Sequence, residues 1–186
     1  SDDHESVYYE ELVERLRLGI MPLIREGSSE RNVDTLVPGI VKNNLPTDNM
    51  MFCTDDKHVN DIFKEGHISY NVKRSIELGL DPVQAIQMAT INAAKHFRLD
   101  DKIGSVAPGR FADILLIDDL TTMKPKLVLK SGRIVADENG ARPVPENAYP
   151  EKIFDTVNIG ADFSAEKFII HSEGKRAKCR VIDLIK

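Results

Sequence analysis

Three short polar clusters in the first sixty residues carry side chains suited to metal binding and proton transfer. Each lies where an extended segment is predicted to end: Asp2-Asp3-His4-Glu5, Arg25-Glu26-Gly27-Ser28 and Thr54-Asp55-Asp56. In parallel α/β barrels, catalytic groups gather on the loops at the carboxyl ends of the strands. Histidine nitrogen and aspartate oxygen together suit Mn, Fe or Zn, and such an ion lowers the pKa of a bound water. The clusters therefore indicate a site for a divalent metal and a polar substrate.

Each cluster also has a simpler structural interpretation. Acidic residues are common at helix N-termini, and His4 fits a solvated residue at a frayed chain end. On spacing alone we favour the structural interpretation for the first cluster. For Thr54-Asp55-Asp56, a helix cap and a functional site are about equally well supported. Arg25 and Glu26 also fit a surface ion pair. Residue types and spacing alone therefore leave both interpretations open.

The composition is that of an ordinary soluble globular protein and excludes several classes. The 186 residues carry a net charge of −5 and are 41% hydrophobic, which excludes a wholly disordered chain. The longest aliphatic run, residues 114–117, is far shorter than the roughly 20 residues that a membrane span needs. The acidic balance disfavours a nucleic-acid partner. Two isolated cysteines predict reduced thiols and a cytoplasmic protein.

Hydrophobic spacing predicts alternating helices and strands over the first hundred residues, a pattern typical of a parallel α/β fold. Asp81 before Pro82 predicts the N-terminus of the last of these helices. The predicted helices span about 6–18, 30–40, 60–64, 69–78 and 82–97, and the predicted strands about 20–24 and 50–53.

From Gly104 onward the pattern changes to short strands and turns. A Ser131-Gly132 turn is predicted to join two strands, and a loop rich in Pro, Asn and Gly over 139–150 predicts a boundary. The predicted strands are 111–117, 127–130 and 133–136, with further β-like runs at 168–170 and 180–182.

Longer motifs, present in the same order, resemble the amidohydrolase superfamily. Ala89-Thr90-Ile91-Asn92-Ala93-Ala94 is followed by Gly104-x-x-x-Pro108-Gly109-x-x-Ala112-Asp113. Together with the three polar clusters, the set resembles the adenine deaminases in particular, over essentially the whole chain and most densely over residues 1–135.

This resemblance implies hydrolysis of adenine to hypoxanthine and ammonia by a metal-activated hydroxide, a step of purine salvage. It implies a divalent metal, with manganese favoured over iron or zinc. His4 matches a metal-ligand histidine. Asp55 matches the metal-linked aspartate that also takes a proton from the water, and Asp56 is the alternative for that carboxylate. Glu5 joins Asp55 in the predicted catalytic set. The predicted substrate contacts are Arg25, Glu26, Ser28 and Asp56.

The resemblance also implies the architecture: an α/β chain forming the C-terminal part of a (β/α)8 TIM-type barrel, followed by a small β-domain segment. Residues 1–100 would be the last barrel units, 101–140 the β-domain strands, and 141–186 a linker and the start of a C-terminal domain. The family's His-x-His pair, bridging carboxylate and further histidine are absent from the sequence. The chain is therefore predicted to be a segment of a larger enzyme, inactive alone and homo-oligomeric when complete. Its predicted partner is adenine, with neither nucleic acid nor membrane.

Two rival functions fit parts of the pattern. Another amidohydrolase, such as an amino-sugar deacetylase or a cyclic amidase, fits the motifs beginning at Ala89 and Gly104 but fits the polar clusters less well. A non-catalytic fragment or subunit, with a role in assembly, fits the absence of the other metal ligands.

Overall fold

The computed structural model describes residues 1–143, 148–174 and 176–182. Its first sheet contains three parallel strands in the order β1-β2-β3. They are β1 (Asp2–Asp3), β2 (Met21–Arg25) and β3 (Met51–Cys53). Helix α1 (Tyr9–Arg17) joins the first two strands, and α2 (Val33–Lys42) joins the second to the third. Two consecutive βαβ units result, which confirms the predicted α/β class.

Helices α1 and α2 cover this sheet with apolar faces. Leu12 of α1 and Leu36 and Ile40 of α2 are almost completely buried in one core with Ile24 of β2. Pro38 lies inside α2 without ending it, and the helix continues to Lys42 rather than stopping near residue 40. Apolar packing therefore outweighs the local helix-breaking preference of proline.

Four helices follow β3: α3 (Val59–Glu65), α4 (Ile68–Glu77), α5 (Pro82–Ala89) and α6 (Ile91–His96). Asp81 caps α5 as predicted, because its carboxylate accepts the backbone N–H groups of Val83 and Gln84. The single helix predicted over 82–97 is wrong, since the chain breaks at Thr90 (φ −133°, ψ −90°).

The break at Thr90 has a local and a tertiary cause. The Thr90 hydroxyl donates to the Ile86 carbonyl, a bond that competes with regular helix geometry. Beyond the break, the buried Asn92 side chain donates to the carbonyl groups of Thr47 and Met50. The reoriented helix α6 is thereby tied to the start of β3.

A second, antiparallel sheet follows in the order β4-β5-β6-β7. Its strands are β4 (Ile114–Ile117), β5 (Pro125–Lys130), β6 (Arg133–Asp137) and β7 (Gly140–Ala141). The predicted Ser131-Gly132 turn is confirmed, with φ of +50° and +75°, the positive values that a two-residue hairpin turn uses. Ile117 and the buried Met123 pack against the core of the first sheet.

By its internal contacts the chain divides into two units, residues 1–143 and 144–186. In the second unit, short 3-10 helices lie at Glu151–Ile153 and Ala165–Phe168. The strands predicted at 168–170 and 180–182 are wrong: Phe168 ends a 3-10 turn, and Ile170 and Ile182 are over 90% exposed. A β-prone run forms a strand only when a neighbour pairs with its backbone. In the part of the chain that the structure describes, no helix is both long and apolar enough to cross a membrane.

Gly104 generates a stability prediction with a matched control. Gly104 and Gly109 have similar positive φ values, +92° and +84°, so alanine is strained at both. A Cβ at Gly104 would also lie 2.6 Å from Ala94 Cβ, whereas one at Gly109 meets no atom within 4 Å. We therefore expect Gly104→Ala to lower the free energy of unfolding by about 1–3 kcal/mol more than Gly109→Ala. Urea denaturation of both variants measures the difference, and equal losses would contradict the packing of α6 against the 104 loop.

Candidate active site

The carboxyl ends of the three parallel strands bring four of the predicted site residues together. His4 and Glu5 follow β1, Arg25 is the last residue of β2, and Asp55 lies two residues after β3. Arg25 is paired in register with Cys53, the last residue of β3. The adjacent strand ends therefore form one edge, the edge at which open and closed parallel α/β sheets carry their sites.

The guanidinium group of Arg25 is the centre of this cluster. Nη1 donates to Glu5 Oε2 at 2.9 Å and lies 3.5 Å from Asp55 Oδ2, while Nε donates to Asn32 Oδ1 at 2.9 Å. The Arg25 side chain is only 6% exposed, and a buried charge requires counter-charges. One buried cation thus holds carboxylates from the loops after β1 and β3 on the same side of the sheet.

His4 completes the cluster on its solvent-facing side. Its Nε2 lies 3.3 Å from Glu5 Oε1 and 3.8 Å from Asp55 Oδ1. Both His4 and Asp55 are partly exposed, so a ligand can reach them from solvent. Asp55 has a φ of +48°, in the left-handed region that aspartate adopts more readily than most residues with a side chain.

Asp56 and Ser28 join the loops after β2 and β3 instead of facing the cluster. The Asp56 carboxylate accepts the backbone N–H groups of Ser28 and Ser29 at 3.1 and 2.9 Å. Burial acts to raise the pKa of Asp56, but these hydrogen bonds outweigh it and the pKa is lowered. Gly27 leaves the space that this contact needs, since a Cβ there would lie 1.6 Å from Asp56 Oδ1. Ser28 Oγ also accepts the backbone N–H of His58.

Glu26 lies apart from the cluster, at the N-terminus of α2. Its side chain is 4% exposed, accepts the backbone N–H of Val33 at 3.1 Å, and lies 3.6 Å from Arg31. Burial raises the pKa of Glu26, although the Val33 hydrogen bond and the Arg31 charge act in the opposite direction. Its position suits a carboxylate at the positive end of a helix.

A second charged network, which the sequence reasoning missed, anchors α3. Lys57 Nζ lies 2.7 Å from Glu65 Oε2 and 4.7 Å from the centre of the Tyr70 ring, with its side chain only 1% exposed. Arg31 donates to the same carboxylate at 3.0 Å, and hydrogen bonds from Arg31 and Lys57 lower the pKa of Glu65. Residues this far apart in sequence give no spacing signal.

The donor atoms around His4 suit a divalent metal in kind. An imidazole nitrogen beside carboxylate oxygens matches the preferences of Mn, Fe and Zn. Within residues 1–143, 148–174 and 176–182, however, no group of three or more His, Cys, Asp or Glu side chains is arranged to hold an ion. His4 and Asp55 provide two such donors, fewer than the about three protein ligands of a mononuclear catalytic site.

Comparisons with known proteins identify the family. The model of the amidohydrolase family matches residues 11–135, and the chain belongs to that family. An adenine deaminase from Desulforamulus reducens is 54% identical over 99% of this chain, and one from Methanococcoides burtonii is 42% identical over 100%. The chain spans 32% and 31% of the lengths of these relatives.

A solved structure supports the fold alone. The β-aspartyl dipeptidase of Fervidobacterium islandicum AW-1, in complex with a β-Asp-Leu dipeptide, matches 75% of this chain and 39% of its own, with a TM-score of 0.58 and 18% identity. At that identity the likeness concerns the path of the backbone. The chain therefore has an amidohydrolase fold, and its chemistry must be argued from its own side chains.

Proposed function

We propose that this chain is a segment of an adenine deaminase, which hydrolyses adenine to hypoxanthine and ammonia in purine salvage. The observation that carries the proposal is the cluster in which buried Arg25 gathers Glu5 and Asp55 beside His4. Relatives that match nearly the whole chain at 54% and 42% identity are named adenine deaminase. The family supplies the reaction class, hydrolysis, and these relatives favour adenine as the substrate.

We further propose that residues 1–100 are the last units of a (β/α)8 barrel. The parallel order β1-β2-β3 and the helices between the strands support this assignment. A closed barrel of this kind needs about 250 residues, so the remaining strands would come from the rest of a longer enzyme. Residues 101–140 would be β-domain strands, and 141–186 a linker and the start of a C-terminal domain.

His4 and Asp55 are the proposed metal ligands, and the resemblance to adenine deaminases favours manganese over iron or zinc, all of which accept nitrogen and oxygen donors. A divalent ion held by these residues would supply Lewis acidity, which makes water a stronger nucleophile near neutral pH. Asp55 Oδ2 is engaged by Arg25, whereas Oδ1 faces His4. We therefore assign to Oδ1 the proton removed from the attacking water.

Glu5 and Arg25 would act beside that carboxylate. Glu5 is the proposed second acid–base group, because Oε1 lies on the His4 side while Oε2 is held by Arg25. Glu5 would relay to the departing amino group the proton that Asp55 takes from the water, so that the group leaves as ammonia. Arg25 orients both carboxylates through Nη1, and its contact with the purine stays a prediction.

Glu26, Ser28 and Asp56 are predicted substrate contacts that stay predictions. Glu26 already accepts the backbone N–H of Val33, and Ser28 accepts that of His58. Asp56 accepts those of Ser28 and Ser29. We propose that they shape the rim by holding the loops after β2 and β3, with adenine contacted at the edge of that rim.

The proposed enzyme works in the cytoplasm on a small-molecule substrate, as a homo-oligomer and without nucleic-acid or membrane partners. The net charge of −5 supports the absence of a nucleic-acid partner. Free Cys53 and Cys179 support a reducing compartment.

The first experiment tests the substrate. The complete enzyme should show a kcat/KM for adenine at least about 10²-fold higher than for adenosine or an N-acetyl sugar, because a site that pairs one purine leaves polar groups unpaired with a misfit. Ammonia release measures the first two substrates, and acetate release measures the third. Higher efficiency with adenosine or the sugar would overturn the proposal.

The second experiment separates the two adjacent carboxylates. Asp55→Asn should lower kcat by about 10²–10⁴-fold, because an amide is nearly isosteric but cannot accept the proton. Asp56→Asn is the matched control, since it makes the same chemical change one residue away. It should lower thermal stability, by weakening the tie to Ser28 and Ser29, and should act on KM more than on kcat, because Asp56 is a predicted substrate contact and not the proposed proton acceptor. If Asp56→Asn lost turnover while Asp55→Asn kept normal turnover, the proton acceptor would be Asp56, and the assignment to Asp55 would be wrong.

A further inference from the structure

The carbonyl oxygen of Cys53 joins three elements at the edge of the candidate site. It accepts the backbone N–H of Glu26 at 3.0 Å, which links the ends of β2 and β3. It also accepts the Asn71 side-chain amide, Nδ2, at 2.9 Å, which links β3 to helix α4. Both acceptor positions of this carbonyl are therefore used, and the last peptide group of β3 is held from two directions.

Asn71 makes this contact at a cost. The residue is completely buried, and its Oδ1 has no hydrogen-bond donor among the described residues. Rotating the amide would only place Oδ1 against the Cys53 carbonyl oxygen, so the orientation with Nδ2 toward Cys53 is fixed. A buried acceptor without a donor is unfavourable, whereas an apolar side chain of the same shape would avoid that loss. The amide at this position is thus better explained by the one bond that it donates than by core packing.

The chain that Asn71 holds leads directly to Asp55. Only Thr54 separates Cys53 from Asp55, which lies at a bend in the chain with a φ of +48°. Glu26, the other donor to Cys53, directly follows Arg25, which contacts Asp55. A shift of the Cys53 carbonyl would therefore move Asp55 relative to both Arg25 and His4.

We infer that Asn71 is a positioning residue, which fixes the end of β3 so that Asp55 keeps its place beside Arg25 and His4, the arrangement in which it would serve as a metal ligand. The inference rests on the proposed function, in which Asp55 is a metal ligand and proton acceptor. Groups that hydrogen-bond a metal ligand directly change metal affinity or activity by about 10–100-fold when they are replaced. Asn71 acts through the Cys53 carbonyl, two residues before Asp55, so we expect the lower end of that range.

Asn92 is a matched control at the other end of the same strand. It is also a buried asparagine on a helix, and its Nδ2 donates to the carbonyl groups of Thr47 and Met50 at 2.8 and 3.0 Å. It therefore ties a helix to the start of β3 with two hydrogen bonds, at the end of the strand opposite Asp55. If both asparagines were purely structural, replacing either one would lower the stability of the fold without a specific effect on metal binding or kcat. The loss of stability would then be larger at Asn92, which donates two hydrogen bonds.

The test compares Asn71→Leu and Asn92→Leu in the complete enzyme. We expect Asn71→Leu to weaken Mn²⁺ binding and to lower kcat for adenine, each by about 10-fold, with little change in KM. Asn92→Leu should reduce Tm at least as much as Asn71→Leu while keeping Mn²⁺ affinity and kcat. If Asn71→Leu does not fold, Asn71→Ser, which is too short to reach the carbonyl, gives the same comparison.

Unchanged Mn²⁺ affinity and kcat in a folded Asn71 variant would overturn the inference, as would equal losses of both in the Asn92 variant. The parent enzyme distinguishes this failure from that of the proposed function. A parent that does not deaminate adenine overturns the proposed function, and the Mn²⁺ affinities of the two variants then still decide whether Asn71 positions Asp55.

Discussion

The buried guanidinium group of Arg25 is the constraint on which the candidate site depends. A charge that is only 6% exposed is strongly unfavourable unless counter-charges and hydrogen bonds surround it. Arg25 ends β2, the central strand of the parallel sheet, so its partners come from both sides. Glu5 follows β1 and Asp55 follows β3, and each presents a carboxylate oxygen to Nη1. The parallel sheet brings the ends of its three strands together, and the buried charge of Arg25 requires the carboxylates that lie there. Both effects favour the same arrangement of Glu5, Arg25 and Asp55.

The cluster could be predicted because strand ends are visible in the sequence. Apolar runs at residues 20–24 and 50–53 end in charged residues, and parallel strands bring such ends to one edge. The partners of each side chain could not be predicted in the same way. Glu26 directly follows Arg25, yet its carboxylate accepts from Val33, because successive residues at a strand end project to opposite sides. Asp56 likewise accepts from Ser28 and Ser29 across a loop, a contact that depends on the absence of a side chain at Gly27.

Long-range contacts explain the errors in the predicted elements. The helix expected over 82–97 has a regular local pattern, but the buried Asn92 amide bonds to β3 and the Thr90 hydroxyl bonds to Ile86. The runs at 168–170 and 180–182 have β-prone residues but no paired neighbour in the described parts of the chain. Local preference predicts an element only when the tertiary structure gives its backbone and side chains suitable partners.

If the edge organised by Arg25 binds the metal ion of a hydrolase, the ion can be located there by its anomalous scattering. Crystals of the complete enzyme, grown with Mn²⁺, should be measured near the manganese absorption edge so that an anomalous difference map locates the ion. We expect a peak within coordination distance of His4 Nε2 and the Asp55 carboxylate, with the hydrogen bond from Arg25 to Glu5 still in place. A manganese peak whose ligands include neither His4 nor Asp55 would contradict this assignment.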